Sequence, residues 1–250
     1  MRGRNHMTSI ESIHFRRITR PLRTTFATSL GRKDVINSIV VTVRLSNGVS
    51  GTGECPTSFT MKRETLENIS RIVLRSSALL KGVEIVAYED SLRRIRRIYP
   101  SNPMTVAGIE SALFRARLES TGMNEHAYFG GKTRIIKTDL TIPFMTDYGK
   151  LELWLRYARM HGFSIYKGKV SGDYFADKAL ITRLCDESMA GRDDFKVRLD
   201  GNQGYSVKSA LSLMDFVLKK KYPVELFEQP VKKGDYKGLR EITSRSPVPI

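Results

Sequence analysis

From about residue 135 onward the chain repeats one pattern four times, a short apolar run followed by a longer amphipathic one. "IIKTDLTI" (135–142) precedes a helical pattern near 147–161, and "FSIYKGKV" (163–170) precedes another near 173–190. "FKVRLD" (195–200) leads into a helix over 206–220, and "VELFEQP" (224–230) into one over 235–244. The closing "PVPI" (247–250) reads as the start of a further strand. Runs of these lengths joined by short links indicate right-handed βαβ units, which lay their strands parallel in one sheet. Such a succession fits either a β/α barrel or a doubly wound sheet. No glycine-rich phosphate loop opens any of the helices, so a dinucleotide-binding fold has no support.

The residues before this repeat follow other rules. Residues 8–19 and "INSIVVTVRLS" (36–46) alternate apolar and polar side chains, and "SNG" (46–48) makes a turn before "VSGTGECP". These segments read as an antiparallel meander. Helical periodicity then runs from Met61 to Leu80, over 87–99 and over 104–120. Strands followed by a run of helices predict an α+β domain over 8–130, ahead of a second domain over 135–250.

Charge and cysteine content narrow the function classes. The net charge is +16, and "SLRRIRRIYP" (91–100) concentrates four arginines. Leu92, Ile95, Ile98 and Tyr99 share one helical face, with Arg93, Arg94, Arg96 and Arg97 on the others, which is the pattern of a solvated helix face. With no zinc-finger spacing or RNA-recognition signature, the basic balance does not point to a nucleic-acid partner. No apolar run reaches the length of a membrane span, and "MRGRNHMTSI" lacks the apolar core of a signal peptide. Met7 reads as an alternative start behind a short basic leader. Cys55 and Cys185 are the only cysteines. They make no disulfide framework, and a reducing cytoplasm is the simplest compartment.

The informative signal is where charges fall on the repeated strands. Lys167 and Lys169, with Gly168 between them, point to the same face of one strand. Lys169 lies near the end of that strand, Asp200 ends the next, and Glu228 lies near the end of the one after, at spacings of 31 and 28 residues. Each has an ordinary alternative: Asp200 in "RLDGNQG" as a turn or cap residue, Glu228 as a solvated strand end, the lysines as snorkelling side chains. Their arrival in phase on three successive strands favours a common site, on the rim where β/α barrels build active sites. Asp200 and Glu228 supply hard oxygen ligands suited to Mg2+. The ammonium of Lys167, with partial burial, disfavours the charged form of Lys169 and would leave it able to act as a base. A lysine base beside a divalent metal suits proton abstraction next to a carboxylate, with the metal stabilising the enolate.

"SNGVSGTGECP", "AGIESALFRARLESTG" with "YFGG", "TDLTI", "YKGKV", "RLDGNQGY" and "VELFEQPVKKGDYKGLREIT" follow one another from about residue 8 nearly to the end. In that order and spacing the chain resembles the enolase superfamily, in its mandelate racemase/muconate lactonizing branch. Within the muconate-lactonizing subgroup it is most similar to the dipeptide epimerases of L-Ala-D/L-Glu epimerase type. The resemblance implies an α+β capping domain followed by a TIM-type β/α barrel. It implies an isomerase that moves the α-proton of a dipeptide or N-acylamino acid with Mg2+ as cofactor. N-succinylamino acid racemase, o-succinylbenzoate synthase and muconate cycloisomerase are the neighbouring alternatives, and a homo-oligomer is compatible. By resemblance, Lys169 is the acid/base on one face of the substrate. Lys167 contacts the substrate carboxylate and tunes Lys169. Asp200 and Glu228 are two metal ligands, Asn202 supports the metal and substrate site, and Thr141 contacts substrate.

Two departures qualify the resemblance. The family places a third metal ligand just after the strand that starts at "PVPI" and a second lysine on the following strand, whereas this chain stops at Ile250. The expectation is therefore a barrel truncated to about half, with one catalytic face and little epimerase activity on its own. The alternative is a non-catalytic fragment or subunit whose open sheet edge seeks a partner. In addition, "PLRTTFATSLGRK" has Ala27 where epimerases for acidic dipeptides often place an arginine, leaving Arg23, Arg32 and Lys33 as candidate substitutes.

Overall fold

The computed structural model describes residues 8–28, 31–132, 135–189 and 195–250; Met7 and the basic leader lie outside them. It divides into two units, Met1–Arg23 with Asp34–Ile135 and Thr24–Lys33 with Ile136–Ile250.

The first unit is built on a three-stranded sheet of order β1-β2-β3, formed by β1 (Ile10–Thr28), β2 (Gly31–Leu45) and β3 (Ser50–Pro56). Strand alternation sends Ile39, Val41, Val43 and Leu45 into the core while their neighbours face outward. Strand β1 runs well past the expected 8–19. It passes through Pro21, which an edge strand tolerates because its outer side needs no ladder hydrogen bond. The tip of this hairpin, residues 24–33, groups with the second unit rather than the first.

Helices α1 (Leu66–Leu80), α2 (Tyr88–Ile98) and α3 (Pro103–Ser120) complete the first unit with the short α4 (Glu125–Tyr128). Helix α1 begins later than the expected Met61 because Glu64 turns inward. Its carboxylate is 1% exposed and caps α3, accepting from the Met104 and Thr105 amides at 2.9 and 3.2 Å. Helix α3 lies close against β3. At Gly51, Gly53 and Gly108 a β-carbon would overlap backbone atoms of the facing element. On α2, Leu92 and Ile95 are buried, while Arg93 pairs with Asp90 and Arg96 with Glu110. The arginine-rich segment is thus a solvated face laced with weak surface ion pairs.

The second unit carries four parallel strands: β4 (Leu140–Ile142), β5 (Ile165–Lys169), β6 (Lys196–Asp200) and β7 (Val224–Glu228). Helices α5 (Tyr148–Met160), α6 (Tyr174–Met189), α7 (Val207–Lys219) and α8 (Tyr236–Arg245) follow them in turn. The strands stand in sequence order, β4-β5-β6-β7. A doubly wound sheet reverses its order at a switch point, so among the described strands the winding is that of a barrel wall. Tyr166, Val197, Leu199 and Phe227 face the helices and form one core with Leu151, Leu155, Leu184 and Leu213.

Two strand expectations need correction here. "IIKTDLTI" yields only three strand residues, since Ile135 and Ile136 are 100% and 85% exposed and have no layer to bury them. "PVPI" is not a regular strand, although the Phe227 amide donates to the Pro249 carbonyl at 3.0 Å. Val248 and Ile250 pack on the core of this unit.

Candidate active site

The sheet register brings the sequence-selected residues into two rows. Thr141 on β4 pairs with Lys167 on β5, which pairs with Arg198 on β6. One step toward the C-terminal ends, Lys169 pairs with Asp200, and Asp200 with Glu228. Because β5 alternates, Tyr166 goes to the helix side and both lysines go to the other. The five residues Thr141, Lys167, Lys169, Asp200 and Glu228 therefore share one region at the carboxyl ends of the strands.

Asp200 is the hub. It is 1% exposed, and its Oδ2 lies 2.6 Å from the Lys169 Nζ and 3.0 Å from the Lys167 Nζ. Its Oδ1 accepts from the backbone amide and the side-chain amide of Asn202 at 3.1 and 2.7 Å. Lys167 also reaches Glu228 Oε2 at 2.6 Å, so one ammonium joins the two carboxylates. Asn202 folds back onto Asp200 through a left-handed backbone, φ 42°, and Gln203 and Gln229 share that region at 71° and 42°. Such backbone is costly for residues other than glycine and concentrates at functional sites.

Residues 151–250 match the family described as enolase C-terminal domain-like. The L-Ala-D/L-Glu epimerase of Bacillus subtilis (strain 168) is 28% identical over 236 residues, which cover 94% of this chain and 63% of that enzyme. A solved substrate-liganded complex of the L-Ala-D/L-Glu epimerase from Bacillus subtilis aligns with a TM-score of 0.88 at 27% identity, covering 97% of this chain and 67% of that one. The dipeptide epimerase from Enterococcus faecalis V583, complexed with Mg and the dipeptide L-Leu-L-Tyr, has a TM-score of 0.86 at 24% identity, covering 96% and 66%. The chain spans less than two thirds of the length of the first of these relatives.

Carboxylates on the neighbouring strands set the electrostatics around Lys167. Burial alone would lower the pKa of Lys167, but its hydrogen bonds to Glu228 and Asp200 outweigh burial and raise it. Burial likewise works to raise Asp200, and hydrogen bonds from Lys169 and Lys167 override it and hold the carboxyl below its ordinary value. Shared carboxylates compensate the pair, so the cluster is a charge network rather than a clash.

The donor chemistry fits a hard divalent cation. Asp200 and Glu228 stand in register on adjacent strands and already surround one point of positive charge, the Lys167 ammonium. Among the described residues no group of three or more His, Cys, Asp or Glu side chains is placed to hold a metal. A pair of carboxylates with water completing the shell is nonetheless the usual provision for Mg2+.

Two side chains that sequence reasoning missed also lie here. The Phe26 ring centroid is 5.6 Å from the Lys169 Nζ, a cation–π contact within the second unit. Its only sequence signal is one aromatic in the polar stretch "RTTFATS". Arg198, in the row below, holds Glu225 at 2.7 Å and Asp139 at 3.0 Å, an ionic floor under the lysines. The signal that would have found it is its alternation with Asp200 on "FKVRLD", which puts both on one face of the strand.

Proposed function

We propose that the rim of the enolase-like domain is a proton-transfer site and that the protein belongs functionally with the epimerases and racemases. It abstracts the α-proton of a dipeptide, or of a related N-acylamino acid, next to the carboxylate. The observation that carries this is the row Lys169–Asp200–Glu228 at three successive strand ends, with Lys167 joining both carboxylates. The names of the relatives favour a dipeptide among the candidate substrates.

In this reading Lys169 gives and takes the α-proton on one face of the substrate. As an ammonium it donates to Asp200, and as an amine it is the base. Lys167 presents a fixed positive charge to the substrate carboxylate, and Thr141 lies beside it in register to contact the substrate. Asp200 and Glu228 are the residues that would hold Mg2+, which supplies electrostatic stabilisation to the developing enolate when bound. Asn202 fixes the Asp200 carboxylate by donating to it twice. The Phe26 ring covers one side of the Lys169 ammonium and limits its access to water.

The test is α-proton exchange. The chain is incubated with Mg2+ and a panel of dipeptides and N-acylamino acids in deuterated water, and α-deuterium is read by mass spectrometry for each enantiomer. Exchange on one enantiomer is expected, lost in Lys169→Ala and on chelation of the metal. Exchange that persists in Lys169→Ala, or its absence across the whole panel, would reject the reading.

A further inference from the structure

A second carboxylate, in the first turn of α6, is buried more completely than any group of the rim. Asp177 is 0% exposed. Its Oδ1 accepts from the Ser171 amide at 2.7 Å and the Ser171 hydroxyl at 2.9 Å, and its Oδ2 from the Gly172 amide at 2.8 Å and from the Tyr205 hydroxyl. Ser171 and Gly172 form the loop just after Lys169, and Tyr205 belongs to the loop just after Asp200 and Asn202. The Tyr205 ring meets Phe227 edge-on, centroids 5.4 Å apart at 84°, and Phe227 precedes Glu228. One buried carboxylate thereby links the segments that carry Lys169, Asp200 and Glu228.

Helix capping does not account for Asp177. That task is done by Asp173, whose Oδ1 accepts from the Phe175 and Ala176 amides, both at 2.9 Å. Nor does surface charge, since the group has no exposure. The loops it joins are also fitted to each other. Val170 donates to the Asp200 carbonyl at 3.1 Å, Gly201 to the Glu228 carbonyl at 2.9 Å and Gln203 to the Gln229 carbonyl at 2.9 Å. Gly172, at φ 93°, approaches Gly204 so closely that a β-carbon would overlap the Gly204 carbonyl. Burial, then the Asp177 charge, push the Tyr205 hydroxyl up, so it remains a proton donor across the working pH range.

We propose that Asp177 and Tyr205 are positioning residues of the proton-transfer site, locking the loops after β5 and β6 together so that Lys169, Asp200 and Glu228 hold one alignment. This rests on the function proposed above and extends it to two residues that touch no reacting atom. Tyr205→Phe removes a single hydroxyl and keeps the ring on Phe227. Asp177→Asn keeps the shape and removes the charge.

Both variants are compared with the parent chain well below their thermal transitions, so that any loss of global stability is not read. Amide hydrogen exchange is followed at Val170, Gly201 and Gln203, and Mn2+ binding by electron paramagnetic resonance, with α-deuterium exchange as the activity. In Tyr205→Phe the three rim amides are expected to exchange faster while amides inside α7 do not. Mn2+ binding should weaken by about 10-fold, the usual scale for removing an outer partner of a metal site. The rate at saturating substrate should fall more than the apparent affinity. A brace that serves stability alone would leave Mn2+ affinity and rim exchange in the folded protein unchanged, and that result overturns the proposal. If the parent chain neither binds Mn2+ nor exchanges α-protons, the proton-transfer reading fails. Rim amides unchanged in Tyr205→Phe would then still reject the loop lock on their own, and selective loss of their protection would support it.

Discussion

Replacing Asp200 with Asn keeps the side chain's size and removes the one charge that both lysines share. Lys167 retains Glu228 at 2.6 Å, but Lys169 loses a carboxylate at 2.6 Å and, being 8% exposed, has little water to turn to. Removing one partner of a buried pair costs about 3–5 kcal/mol, and the partial exposure of Lys167 places Asp200→Asn at the lower end, about 3 kcal/mol. Trp154 is the only tryptophan in the chain and packs on the core of the second unit, so its fluorescence in urea follows the unfolding of that unit. Adding Lys169→Met removes the stranded ammonium, and the double variant should be more stable than Asp200→Asn by roughly 2 kcal/mol. The folded carboxyl of Asp200 lies below its unfolded value, so its contribution is complete above the unfolded value and is lost as pH falls through the folded one. The gap between the parent and Asp200→Asn is therefore full at neutral pH and closes in acid. A cost under about 1 kcal/mol, the scale of an exposed pair, or no rescue by Lys169→Met, would refute the claim that a buried charge network holds the rim.

In the first unit, Glu64→Ala leaves the Met104 and Thr105 amides at the start of α3 without their acceptor. The expected cost is about 2–3 kcal/mol, seen as an earlier loss of helical circular dichroism on heating; an unchanged melt would rule the cap out as a contributor. Burial pushes the thiols of Cys55 and Cys185 up to about 12. Both should resist iodoacetamide in the native protein at mildly alkaline pH and react readily in denaturant, and rapid native labelling would contradict their burial.

Much of the second unit was legible because its signals are local. Each strand is a short apolar run and each helix an amphipathic one, and the links between them are brief, so "FKVRLD" and "VELFEQP" could be read one at a time. The rim residues were legible for the same reason, since strand alternation and the spacing of one βα unit fix both the face and the height of Lys169, Asp200 and Glu228. What failed depends on distant neighbours. Ile135 and Ile136 look like strand residues until the lack of anything packed over them is known. The length of β1 depends on its pairing with β2, and its own residues 20–28 are too polar to announce a strand. The ion pairs of Lys167 with Asp200 and Glu228 are likewise absent from the local run "YKGKV", since those carboxylates come from strands further along the chain. Asp177 gave no sign at all, because an acidic residue in the first turn of a helix is ordinary and its burial is set by loops on either side of it.

The close seating of α3 on β3 also limits how this chain can change. At Gly51, Gly53 and Gly108 even one added carbon meets backbone, which cannot swing aside as a side-chain tip can. The standoff between helix and sheet is thus fixed by three missing side chains rather than by the bulk of those present. Apolar residues elsewhere in that core can exchange volume with one another. These three positions have nothing to trade, so alanine at any of them must lift the helix off the strand, with the Glu64 cap at its far end carried along.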